Sequence, residues 1–262
     1  MRRADDEKRS QIEINRQRKK TTALRRLGEN IHRLRAKIRR DLNDEKEKVR
    51  LTALVVSLMD KTGSRVGNEE SAESGHVGIT GLCKEHIEVE GNTVKLSYTG
   101  KSGVKQEKQV TDQKIATLIR AALERCEKNS DPVFQTSDGF KIKADKVNRY
   151  LADFDVTAKD IRGFAANRFM LESLRKAKTP DEERERKSKF LDLLESVAGR
   201  VGHTPNMLRK HYLLPNLEDE YVKHGRIVNI RDAAETMQPG DLRLSRIAMR
   251  VAVGMLLIRK DK

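Results

Sequence analysis

A mainly α-helical protein with one small three-stranded antiparallel sheet (α+β) is the fold the sequence predicts. Apolar residues recur at steps of three and four through most of the chain, the spacing of a helix with one buried face. A period near two is confined to residues 77–110, where Gly91-Asn92 and Gly100-Lys101-Ser102-Gly103 break it into three runs. The length, 262 residues, suffices for one large or two modest domains.

The elements follow in order. Leu24, Leu27, Ile31, Leu34 and Ile38 form one apolar helical face. The first twenty residues lack such a face and are expected to be a mobile helix or disordered. Asp44 with Glu47 three residues on reads as a variant capping box. Leu51, Leu54, Val55, Leu58 and Met59 then face a core, and Gly63 is the predicted stop. Ile87 and Val89 alternate, as do Val94, Leu96 and Tyr98, and Val104 to Val110 is a polar return strand. Lys101 falls at a hairpin tip. Ile115, Leu118, Ile119 and Leu123 form the next helical face, and Val147, Tyr150, Leu151 and Phe154 another. Thr157, with Asp160 three residues on, caps a helix carrying Phe164, Phe169 and Leu174. The charged stretch Lys176 to Lys189 is a solvated helix or a surface linker, after which Leu191, Leu194, Val197 and Val201 resume the apolar pattern. Leu244, Ile247, Val251, Met255 and Ile258 make the segment from Leu242 amphipathic, and it is expected to pack on the core. The expected division is a basic helical arm over 1–43, a catalytic domain over 44–228 and a helical segment over 229–262.

Formal net charge is +15. Residues 1–41 hold 15 Lys/Arg against 6 Asp/Glu, so most of the excess lies in the arm. Such an excess points to a polyanionic partner, through attraction to phosphate and counterion release. Aromatic residues are 4% and Trp is absent, which argues against binding by base stacking. Cys83 and Cys126 are the only cysteines, too few for a disulfide framework. Cys83-Lys84-Glu85-His86 has metal-ligand spacing without a second pair, so no metal and no cofactor are expected. The N-terminus has no apolar signal region, and the longest apolar run, Val251 to Ile258, is too short to span a bilayer. An intracellular protein without a membrane partner is the expectation.

Five residues in short, unusual contexts remain: Arg65, Lys101, Arg162, His203 and Tyr212. Two guanidinium forks, an ammonium, an imidazole and a phenol are what cleavage of a phosphodiester without a metal needs. A phenol can attack phosphorus and hold the broken bond's energy as a new phosphodiester. Arginine forks make paired, permanently charged bonds to the non-bridging oxygens, and a histidine can donate one more. A lysine among cations loses its proton more easily and suits protonation of the leaving oxygen. Competing chemistries lack their residues: a P-loop ending at Lys101 would need glycine where Lys95 stands, and Gly-x-Ser-x-Gly and His-Glu-x-x-His are absent. Taken singly, each residue reads as an ordinary solvated cation, a helix-end histidine or a buried tyrosine. Their order and co-occurrence, with His203 and Tyr212 on one helix and its entry loop, lower that reading.

These segments resemble the type IB DNA topoisomerases and, more distantly, the tyrosine recombinases. Lys61-Thr62-Gly63-Ser64-Arg65-Val66-Gly67-Asn68-Glu69-Glu70 is similar to the segment holding their first catalytic arginine, which implies Arg65. Gly100-Lys101-Ser102-Gly103 resembles the hairpin of their general-acid lysine, implying Lys101. Ala158-Lys159-Asp160-Ile161-Arg162 resembles the second arginine motif, implying Arg162. Val201-Gly202-His203-Thr204-Pro205 carries the histidine position, and Tyr212 falls where the family has its nucleophile. The resemblance runs from about Leu51 to Tyr221. It implies relaxation of supercoiled double-stranded DNA through a 3′-phosphotyrosine, without ATP or metal, by a monomer. Lys159, Arg209 and Lys210, with Arg16, Arg18, Lys19, Lys20, Arg25 and Arg26 of the arm, are the expected DNA contacts.

Recombinases usually begin the second arginine motif with histidine, where this chain has Lys159, which favours the topoisomerase reading. The smaller bacterial and poxviral enzymes normally carry an N-terminal β-rich clamp, where this chain has the basic helical arm. A non-catalytic DNA-binding relative is the remaining alternative; drift would be expected to have removed a member of the five.

Overall fold

The computed structural model describes residues 2–68, 75–228 and 230. Helix α1 (Arg2–Asp41) is followed by α2 (Glu47–Thr62) and by strands β1 (Ile87–Glu90), β2 (Thr93–Thr99) and β3 (Lys105–Thr111). Helices α3 (Gln113–Glu124), α4 (Ala144–Leu151), α5 (Ala158–Lys176), α6 (Glu183–Val201), α7 (Pro205–His211) and α8 (Leu217–His224) complete the described order. The mainly α fold with one three-stranded antiparallel sheet is as the sequence predicts; strand order is β1-β2-β3. The amphipathic segment from Leu242 lies outside the described residues.

The apolar stripe of α1 is buried at Leu24, Leu27, Leu34 and Ile38, where it packs on α2 and α5. The first twenty residues, expected to be a mobile helix or disordered, continue this helix from Arg2. Polar ties add orientation: Arg35 forks onto the Asp60 carboxylate of α2 at 2.7 and 3.0 Å, and the Tyr150 hydroxyl of α4 donates to Asp41 at 2.9 Å. Nearer its start, α1 meets the segment between α7 and α8, where Lys20 Nζ donates to the Leu213 carbonyl at 2.9 Å.

Helix α2 corrects the expected capping box. Its N-cap is Lys46, which makes Glu47 the first helical residue, too early to reach back to a cap. Asp44 instead accepts from the Lys46 N–H at 2.8 Å, and the Glu47 carboxylate accepts both the N–H and hydroxyl of Ser137. Gly63 does stop the helix: at φ 68° it turns the chain and its N–H closes on the Met59 carbonyl. The Thr157–Asp160 capping box of α5 is present.

The charged stretch after Lys176 divides: residues 177–182 are a connection, and the rest forms the first turns of α6. The phase of α6 differs from the expected one. Phe190, Leu194, Val197 and Val201 face the core at steps of four and three, which leaves Leu191 42% exposed. Leu191 was therefore a misplaced core residue and Phe190 the one overlooked.

The sheet packs against α2 and α3. In register, Leu96 lies opposite Lys108 and Tyr98 opposite Gln106. The inward positions of β3 are Gln106, Lys108 and Val110, two of them polar. That polar face lies where the sheet meets the carboxyl end of α6.

Candidate active site

Arg65 follows the α2 stop on a backbone held by a close chain approach. Its carbonyl accepts the Ile79 N–H, and the Val66 carbonyl accepts both the N–H and hydroxyl of Thr80. The two segments approach through Gly67 and Gly78: a Cβ on Gly78 would lie 2.4 Å from the Gly67 nitrogen and 2.8 Å from the Arg65 oxygen. Glycine at both positions is what lets this loop carry Arg65 to the site. Lys101 opens the turn between β2 and β3, closed by a Gly100 N–H to Val104 carbonyl bond of 2.9 Å. Arg65, Lys101 and Arg162 line one small pocket together with Gln106 and Gly202.

Arg162 sits in the second turn of α5 and is 4% exposed. Nη2 donates to the Val201 carbonyl at 2.7 Å. Nε and Nη1 are buried with no partner among the described residues. Burial, followed by the charge of Arg65, pulls the guanidinium down to about 10, while Tyr212 and Tyr98 act the other way. Two buried donors left unmatched beside a positive neighbour form a receptor for an anion.

His203 follows α6 through Gly202, whose φ of 70° ends the helix. The positive φ favours glycine at 202, and the Gln106 amide occupies the space a Cβ would take. The His203 N–H closes the turn on the Ala198 carbonyl at 2.8 Å. Its buried Nε2 has no partner among the described residues. Burial first, then Arg162, Arg65, Lys108 and His211, push the imidazole down to about 3. It is neutral at pH 7 and can present Nε2–H to an oxygen in one tautomer.

Tyr212 caps the carboxyl end of the seven-residue helix α7, one residue beyond the helix on which it was expected. Its ring centroid lies 4.3 Å from that of His203, and the Arg162 guanidinium carbon is 5.6 Å from it. Of the other three tyrosines, Tyr98 lines the same pocket as Arg65, Lys101 and Arg162, but the hydroxyls of Tyr98 and Tyr150 are committed to other partners. Tyr98 donates to Ser64 in the interior, Tyr150 donates to Asp41, and Tyr221 is wholly buried.

Two residues at this site were missed by the sequence reading. Asn167, fully buried on α5, donates to the Tyr212 carbonyl at 2.8 Å and accepts the Leu214 N–H at 2.9 Å, pinning the tyrosine segment to the helix that carries Arg162. An amide between Ala166 and Phe169 on a core-facing helix was the available signal. Lys108 occupies an inward position of β3 next to the same cluster.

The expected DNA contacts are dispersed. Lys159, Lys210 and Lys19 are exposed and Arg18 is half-buried; Arg25 pairs with Glu29, Arg26 with Asp155 and Arg209 with Glu218. Lys20 is the residue held by Leu213, and the Arg16 side chain lies outside the described residues. At Cys83-Lys84-Glu85-His86, His86 Nδ1 accepts the Cys83 N–H at 2.9 Å and so caps a short turn. Among the described residues no group of three or more His, Cys, Asp or Glu could hold a metal ion, and no helix is long and apolar enough to cross a membrane.

Residues 9–225 match the family described as eukaryotic DNA topoisomerase I, catalytic core. The chain belongs to that family. Similar proteins include DNA topoisomerase 1B of Acanthamoeba polyphaga mimivirus, 24% identical over 182 residues that cover 64% of this chain and 53% of the relative. Human DNA topoisomerase 1 is 26% identical over 169 residues, covering 60% of this chain and 21% of that protein. This chain thus spans about half the length of the viral relative and about a fifth of the human one. Among solved structures, the post-cleavage complex of the XerH site-specific recombinase with palindromic difH substrate aligns with a TM-score of 0.45 and 16% identity, over 72% of this chain and 46% of that one.

Proposed function

We propose that this protein is a type IB DNA topoisomerase, which relaxes supercoiled double-stranded DNA by transient cleavage of one strand. The observation that carries the reading is the buried Arg162 fork, two of whose nitrogens have no partner among the described residues, beside His203 and the Tyr212 ring. In the proposed reaction the Tyr212 hydroxyl releases its proton to solvent as its oxygen attacks a backbone phosphorus, and the bond to the 5′ oxygen breaks. That oxygen leaves with a proton from Lys101. Arg65, Arg162 and the neutral His203 hold the charge that grows on the non-bridging oxygens. The 3′-phosphotyrosine conserves the phosphodiester, so the liberated 5′ hydroxyl reseals the strand by the reverse path without ATP.

Plasmid relaxation in EDTA without nucleotide is the direct test. Relaxation of both positive and negative supercoils is expected, and a strict need for Mg²⁺ or ATP would reject the reading. Lys101→Ala is expected to be slow on an ordinary oxygen leaving group yet near normal on a 5′-bridging phosphorothiolate, whose sulfur departs without a proton. Equal loss on both substrates would assign Lys101 to charge stabilisation.

Helix α1 is proposed to hold the duplex through phosphate contacts, since its basic residues surround an apolar stripe that faces the core. Replacing Arg16, Arg18 and Lys19 by Gln should weaken binding to all sequences alike. If each makes one phosphate contact, the slope of log affinity against log salt flattens by up to about 2.7. An unchanged slope would make α1 a packing element only.

A further inference from the structure

We propose that Lys108 is a positioning residue for strand breakage: from β3 it anchors the last turn of α6, and through that turn it sets Arg162 and His203. The inference rests on the strand-breaking function proposed above. Lys108 occupies an inward position of β3 opposite the buried Leu96, where an apolar residue would be the ordinary choice, and is 8% exposed. Its Nζ donates to the Arg200 carbonyl. The next carbonyl, that of Val201, accepts from Arg162 Nη2 at 2.7 Å. The final carbonyls of a helix lack partners along the chain and carry the negative end of its dipole. Two buried cations from different elements therefore grip successive carbonyls of one turn, and the chain then passes through Gly202 to His203.

The grip has a consequence for the site. With Nη2 of Arg162 committed to Val201, Nε and Nη1 are left for a phosphate. If the turn drifts, the direction of the fork drifts with it, and so does His203. The neighbouring β3 residue adds to the same joint, because Gln106 fills the space above Gly202.

Among the described residues the charges acting on Lys108 are those of Arg162 from α5 and Arg200 from α6, both positive, and burial exceeds either. Together they lower the ammonium to about 8. The Arg200 guanidinium lies over Phe169, its carbon 3.5 Å from the ring centroid. A buried lysine among cations costs stability, which is the pattern of a group kept for function. Its charge is present below pH 8 and lost above it. The grip should therefore weaken as pH rises through that value.

The test is single-turnover cleavage of a 5′-bridging phosphorothiolate at subsaturating DNA, from pH 6 to 10. This substrate removes the need for the Lys101 proton, and subsaturating conditions report the ionisation of the unbound protein. Wild type should lose rate through about pH 8. Lys108→Met should be slower by about tenfold at pH 7, the factor for one positioning hydrogen bond, and should lack that decline. Lys108→Arg should keep most of the rate and carry the decline beyond pH 10, because guanidinium stays charged. A folded Lys108→Met with the wild-type rate and profile would overturn the proposal, as would Met and Arg variants equally slow with the decline intact. If Lys108→Met does not fold, the wild-type decline and its displacement in Lys108→Arg decide. Absence of any adduct from wild type would reject the strand-breaking function itself. In that case NMR of the His203 ring still tests the anchor: ring signals that shift in Lys108→Met and return in Lys108→Arg support it, and signals unchanged in both variants overturn it.

Discussion

Tyr212→Phe is expected to abolish the covalent DNA adduct while leaving DNA affinity within about twofold of wild type, since the change removes one reacting oxygen and no phosphate contact. The ring itself is part of the packing: its centroid lies 4.3 Å from that of His203 at a tilt of 40° and it lies beside Arg162, and phenylalanine retains both contacts. The backbone is held independently of the hydroxyl, through Asn167 and the Leu208 carbonyl. Denaturing gels after incubation with a labelled duplex read the adduct, and filter binding reads the affinity. An adduct that survives in Tyr212→Phe would transfer the nucleophile to another tyrosine. Tyr98, Tyr150 or Tyr221 would first have to leave an interior partner or a buried position.

The second large effect is expected at Arg162. Arg162→Ala should slow single-turnover cleavage by about 10²–10³-fold, the range for loss of a preorganised donor at developing charge. Arg162→Lys should recover little of it. An ammonium can reach the Val201 carbonyl or the phosphate, whereas the fork spans both, with Nη2 on Val201 and Nε and Nη1 left over. Arg162 is 4% exposed, so melting temperatures must accompany the rates. Near wild-type cleavage by a folded Arg162→Lys would mean that charge alone suffices and that the fork geometry is incidental.

The DNA-free electrostatics bear on both expectations. Arg162, Arg65 and Lys108 each help lower the His203 imidazole, and Arg65 lowers Arg162. A phosphate in their midst would relieve that repulsion, so binding of the anion and ordering of the cations favour one another. Charge removal at any one of them should weaken anion binding more than its own hydrogen bond accounts for.

The sequence by itself determined what local rules govern. The α1 stripe from Leu24 to Ile38, the stop at Gly63, the hairpins around Gly91 and Gly100, and the Thr157–Asp160 cap all rest on signals within about four residues. The five candidate residues were singled out from their types and contexts and from the resemblance to the type IB topoisomerases. Start position and phase went astray at Glu47 and at Leu191. What only the tertiary structure decided are the partners distant in sequence. Lys108 meets Arg200 across 92 residues, Asn167 meets Tyr212 across 45 and Lys20 meets Leu213 across 193. Gly78 must be glycine because the Gly67 backbone fills its side-chain space, and the Gln106 amide takes up the space beside Gly202. Helical and strand periods report which side of an element is buried, and nothing in them reports what lies against that side. The donors left unmatched on Arg162 and His203 belong to that second kind of fact, because they exist only once α5 and the end of α6 have closed around them.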